Sequence, residues 1–180
     1  MRHKQTAPTL LGFAADGDLT FTDTGQELVT LVAQAAAQVR ETGLMPSIGG
    51  IAADAWGMGL VTDALVSEGF DPGDTTLARV GHIYSVPQGV GLSSAIHTVE
   101  FKLGDGMLRH DGSKMMAWCV SNALVQMRGN AVYVSKESSG AGKIDPLCAL
   151  LNAAKVMELR PVAAGDGGPS IYEERGMLVL

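Results

Sequence analysis

Two spacings of apolar residues alternate along the chain, one helical and one of short runs broken by glycine. Thr24-Gly25-Gln26-Glu27 has the spacing of a capping box. Leu28, Leu31, Val32, Ala35 and Val39 then recur on one face, which predicts a helix to about Glu41, ended by Gly43. Residues 48–53 are short, apolar and glycine-containing, and read as a buried strand ending at Asp54. A helix over about 57–68 follows, with Leu60, Val61, Ala64 and Leu65 inward and Gly69 closing it. Residues 76–80 read as a second buried strand. Strand, helix and strand in that order predict a parallel pair joined by a crossover helix.

The remaining segments are shorter. Residues 8–22 read as extended around an Ala15-Asp16-Gly17-Asp18 turn. A helix is predicted over 91–103, with Leu92, Ile96, Val99 and Leu103 on one side and Gly104-Asp105-Gly106 as its break. Residues 112–127 read as another helix, carrying Met116, Trp118, Cys119, Ala123 and Leu124. Ala131-Val132-Tyr133-Val134 reads as a strand. The last helix starts at Asp145-Pro146 and runs to about Leu159, before Pro161. Residues 162–180 are rich in glycine and charge up to Met177-Leu178-Val179-Leu180, and are expected to be poorly ordered. No internal repeat or linker divides the chain, so one α/β domain is expected from 180 residues.

Composition narrows the classes. Apolar residues are 46% and charged residues 18%, enough for a core and too few charges for a disordered chain. No apolar run approaches the roughly 20 residues of a membrane-spanning helix, and no signal core follows the basic N-terminus. No membrane partner and a cytoplasmic location are therefore expected. Cys119 and Cys148 lack metal-ligand spacing and read as reduced thiols in apolar surroundings. A net charge of -6 argues against nonspecific coating of nucleic acid, but not against an enzyme that grips it locally through an acidic, metal-binding centre.

Two carboxylates stand out by position. Asp54 lies at the carboxyl end of a predicted buried strand, the edge where open α/β sheets bind ligands. Asp145 lies at the start of the last helix, and the two can converge across one cleft. Mg²⁺ takes one or two carboxylates together with substrate phosphates. Asp145 before Pro146 also fits an ordinary helix cap, and Asp54 an ordinary turn. Capping needs one oxygen only and leaves ligation open. Other signals are weaker. Ser139-Gly140-Ala141-Gly142-Lys143 departs from a phosphate loop, with Ile144 where Ser or Thr belongs. Gly57-Met58-Gly59 is a partial dinucleotide turn in which Thr62 replaces the third glycine, and Asp54 would repel a pyrophosphate there. His110 beside Asp111 reads as surface, and Asp63 as a solvated helix residue.

Four stretches in order carry a resemblance. They are Gly17-Asp18-Leu19-Thr20-Phe21-Thr22-Asp23-Thr24-Gly25, Ile51-Ala52-Ala53-Asp54-Ala55-Trp56-Gly57, Met116-Ala117-Trp118-Cys119-Val120-Ser121-Asn122, and Ser135-Lys136 through Lys143-Ile144-Asp145-Pro146-Leu147-Cys148-Ala149-Leu150. Over residues 6–159 the chain resembles the C-terminal nuclease domain of tailed-phage terminase large subunits, with 160–180 as a tail. The resemblance implies a ribonuclease-H-like fold, a mixed sheet flanked by helices, here without its first strands. It implies a metal-dependent endonuclease that cuts double-stranded DNA during phage packaging. Asp54 and Asp145 would be catalytic metal ligands for two Mg²⁺ or Mn²⁺ ions, and Lys136 and Lys143 would contact DNA. Asn122 and Trp118 would be structural supports. The implied partners are DNA, a terminase ATPase domain, the small terminase subunit and the portal, in the cytoplasm of a bacterial host. The chain departs from the family in having no Gly-x-x-x-x-Gly-Lys-Ser/Thr loop and no opening strand with a first catalytic Asp. Asp16 and Asp18 sit in a turn and are not assigned that role. The alternative expectation is a catalytically incomplete remnant that only binds DNA or packaging proteins, and a third is a nucleotide-binding domain built on Gly57-Met58-Gly59.

Overall fold

A computed structural model describes residues 6–54, 58–75, 81–136 and 142–161. Helix α1 spans Ala7–Ala15 and α2 spans Gly25–Glu41. Strand β1 (Ile51–Ala53), helix α3 (Met58–Ser67) and strand β2 (Ile83–Ser85) follow. A 3₁₀ turn at Gly89–Leu92 leads into α4 (Ser93–Gly104). Helix α5 (Lys114–Ser121), strands β3 (Ala123–Arg128) and β4 (Ala131–Lys136), and helix α6 (Asp145–Met157) complete the described chain. The architecture is mixed α/β, with one parallel and one antiparallel pair of strands among the described residues.

The parallel pair is the centre of a layered core. β1 and β2 pair in parallel with Ile51 opposite Ile83 and Ala52 opposite Tyr84. Strand side chains alternate between faces. Ile51 and Ile83 accordingly meet Ala33, Ala37, Leu65 and Phe70, the cluster under α2 and α3. Ala52 and Tyr84 meet Leu92, Ala95, Val99, Leu151 and Val156, the cluster under α4 and α6. Both faces are covered, as parallel strands require. The expected crossover unit is present, with its second strand at 83–85. Residues 76–80, expected to hold that strand, lie outside the described residues.

Helix α2 begins as its sequence predicts. Thr24 Oγ1 accepts from the Glu27 N–H at 3.1 Å, and Glu27 Oε2 accepts from the Asp23 N–H at 2.8 Å. Gly43 leaves the helix with φ +73°. The buried face differs from the expectation. Val29, Ala33 and Ala37 face inward, while Leu28, Leu31, Val32 and Val39 are 39–51% exposed. The alanine ridge gives α3 a close approach that the larger residues would block. In α3, Leu65 is buried and Val61 and Ala64 pack beside it, whereas Leu60 is 67% exposed. In α4, Leu92, Ala95 and Val99 form the buried side and Ile96 packs beside them, while Leu103 faces out.

Two expectations are corrected outright. Residues 7–15 are helical, not extended: Pro8 sits in the first turn, where its missing N–H costs nothing, and Phe13 is buried against Trp118 with ring centroids 5.5 Å apart. The turn behind it is real, with Gly17 at φ +85°. The helix expected over 112–127 stops at Ser121. From Ala123 the chain pairs with β4 through a two-residue Gly129-Asn130 loop, Arg128 opposite Ala131. Helical spacing and a strand competed for the same residues there, and pairing with a segment eight residues on decided it.

Candidate functional site

The first predicted carboxylate leaves the sheet where ligands bind. The Val86 N–H donates to the Ala53 carbonyl at 2.7 Å, one step beyond the ladder, so Asp54 emerges at the carboxyl end of the parallel pair. Ala52 faces the α4/α6 layer. Strand alternation through Ala53 puts position 54 in register with that same side. Helix α6 packs across β1 on this face. Both Asp54 and Asp145 are exposed to solvent.

One sulfur lies within the influence of both charges. Cys148 lies one turn into α6, three residues after Asp145 and on the same face. Burial first, and then the negative charges of Asp145 and Asp54, push its thiol above the ordinary value. The two carboxylates come from different elements, yet both act on this group. Cys119, fully buried in the last turn of α5, is pushed up in the same direction by burial and then by Asp145. Asp145 opens α6, and its charge acts on Cys148 of α6 and on Cys119 of α5.

Asp145 is the first residue of α6, and Ile144 holds the cap position without a side-chain hydrogen bond. Its charge is favoured there by the helix dipole. What fixes this turn comes from α5. Asn122 closes α5, and its Nδ2 donates to the Lys143 carbonyl at 3.2 Å. Gly142 lies against the same amide, where a Cβ would come within 2.5 Å of Asn122 Cγ. Only glycine fits so close an approach. Further along α6, the buried Asn152 accepts from Gln88 Nε2 at 2.9 Å, and Gln88 also donates to the Val86 carbonyl at 3.0 Å. This bond ties α6 to the loop that follows β2.

The two candidate lysines come from neighbouring backbone. Lys136 ends β4 opposite Ala123, the residue after Asn122, and the Lys143 carbonyl is bonded to Asn122 itself. Asp16 and Asp18 lie elsewhere. Lys114 Nζ is 3.0 Å from Asp16, and Asp18 accepts from Ser113 Oγ at 3.0 Å and the Met115 N–H at 3.4 Å. Both acids are held at the start of α5, about 12 Å of helix away from Asn122. His110 and Asp111 make turn contacts: Nδ1 accepts from the Gly112 N–H at 3.1 Å, and Asp111 Oδ1 accepts from the Ser113 N–H at 2.9 Å. Gly57 and 139–141 lie outside the described residues.

Sequence reading missed the position of Cys148, half-buried three residues after Asp145. The signal was its three-residue spacing from Asp145. It also missed Asn152, an amide on the apolar face of α6. Among the described residues no three His, Cys, Asp or Glu side chains group around one ion. Asp54 and Asp145 are exposed oxygen donors, the ligand type that suits Mg²⁺ or Mn²⁺ completed by water and phosphate oxygens. No protein-family model, curated protein or solved structure matches the chain.

Proposed function

We propose that the chain carries a metal-dependent DNA endonuclease centre of the terminase nuclease kind, in a fold of the ribonuclease-H type. The observation that carries this reading is that Asp54 follows the carboxyl end of the parallel pair while α6, which Asp145 opens, packs across β1. Asp54 and Asp145 are read as two hard-cation ligands supplied by different elements. When bound there, Mg²⁺ or Mn²⁺ supplies an activated water and offsets the charge on the attacking and leaving oxygens of a phosphodiester. The chain's own residues hold the geometry. Asp54 projects from a strand clamped between two helical layers, and Asp145 from a helix start held through Asn122. Lys136 and Lys143, close in the backbone, contact DNA phosphates. The substrate is double-stranded DNA in the cytoplasm of a bacterial host, and the working assembly includes a packaging ATPase, a small subunit and a portal. No helix among the described residues is long and apolar enough to cross a membrane.

Incubation with supercoiled plasmid and Mn²⁺ tests this. Nicked or linear product from the wild-type chain, lost in Asp54→Asn and in Asp145→Asn, supports the nuclease. Intact plasmid that is nonetheless retarded in a gel supports the alternative of a DNA-binding remnant, and intact, unretarded plasmid defeats both.

A further inference from the structure

We infer that Asn122 is a positioning residue for Asp145, setting where its carboxylate stands through the 142–144 backbone. The inference rests on reading Asp54 and Asp145 as a divalent-cation site. Asn122 is itself well anchored. Its N–H donates to the Trp118 and Cys119 carbonyls, each at 3.2 Å; Cys119 is fully buried, and Trp118 packs on Phe13. From this fixed point the amide reaches the Lys143 carbonyl, two residues ahead of Asp145. Gly142 lies close against the same amide. Backbone at positions 142 and 143 is thus held against one side chain.

Helix α6 offers no substitute for this grip. Its cap residue, Ile144, brings no side-chain acceptor, and the first turn is closed by the Cys148 N–H donating to the Ile144 carbonyl at 3.0 Å. A shift at Lys143 therefore turns the first residue of the helix, which is Asp145. Asparagine is suited to the task because its amide donates to a carbonyl; an acceptor-only aspartate would face that carbonyl across a repulsive contact. Residues that orient a metal ligand from behind change metal affinity by about 10–100-fold when removed.

The test is Mn²⁺ binding to the full chain by calorimetry, well below every variant's melting temperature. Asn122→Ala is expected to weaken Mn²⁺ at least tenfold. Gly142→Ala, which pushes on the amide but leaves Asn122 in place, is expected to weaken it in the same direction and serves if Asn122→Ala does not fold. Leu65→Ala, a core change in the other layer, should lower the melting temperature but leave Mn²⁺ affinity within twofold. Wild-type affinity in Asn122→Ala or in Gly142→Ala, or an equal loss in Leu65→Ala, overturns the inference. Wild-type affinity in Asp145→Asn overturns the cation site itself, and the positioning role with it.

Discussion

Lys155 and Glu158 hold α6 to α4, and replacing Lys155 by Met tests how that packing depends on pH. Lys155 Nζ lies 2.9 Å from Glu158 Oε2 and 2.6 Å from Ser94 Oγ. Glu158 also accepts from Ser94 Oγ at 2.9 Å and Thr98 Oγ1 at 3.1 Å, so one carboxylate joins both helices. The two charged side chains are only 26% and 23% exposed, which limits screening by solvent. A hydrogen bond to a charged group contributes about 1.5–3 kcal/mol. Lys155→Met keeps the packing of the stem and removes the charge, so a loss of about 2 kcal/mol at pH 7 is expected. With a urea slope of about 2 kcal/mol/M, the midpoint falls by about 1 M. Burial opposes ionisation of Glu158, but the hydrogen bonds from Lys155, Ser94 and Thr98 and the Lys155 charge outweigh it and hold the carboxyl below its ordinary 4.5. A lowered carboxyl stabilises the fold fully above the unfolded value and loses that contribution as pH falls through the folded value. The difference between wild type and Lys155→Met should therefore shrink as pH is lowered from 7 towards about 3. A penalty that is absent at pH 7, or that persists unchanged in acid, refutes the reasoning.

Two further outcomes follow from burial and charge. Asp54→Asn or Asp145→Asn removes a negative charge acting on Cys148, so its thiol should ionise more readily and react faster with iodoacetamide at a fixed pH near 8; unchanged rates in both variants would separate the acids from the thiol. Leu65→Ala should cost about 2–5 kcal/mol in urea melts and Leu60→Ala less than about 0.5, because Leu65 is 1% and Leu60 67% exposed; similar costs would contradict the observed face of α3.

What was legible in the sequence was mostly local. The Thr24 box, the strand ending at Asp54, and Asp145-Pro146 opening a helix each rest on a few adjacent residues, and each forms. The choice between two apolar faces of α2 was not local. Leu28, Val32 and Val39 make the stronger stripe by size, but Ala33 and Ala37 permit the closer helix contact and are the ones buried. The strand at Ala123–Arg128 was hidden because its residues continue the helical spacing of Met116 and Cys119, and only pairing with Ala131–Lys136 separates the readings. At the site, both acids could be named from position, but whether they can share an ion depends on how α6 packs across β1. The Asn122–Lys143 link likewise joins residues 21 apart, beyond the reach of any short motif.

The claim that Asp54 and Asp145 share one cation site is tested most directly by electron paramagnetic resonance of Mn²⁺ titrated into the wild-type chain and each single Asn variant. The shared site predicts that the free-Mn²⁺ signal is quenched by the wild type and that either substitution alone restores most of it. Equal quenching by the wild type and by either variant would contradict it.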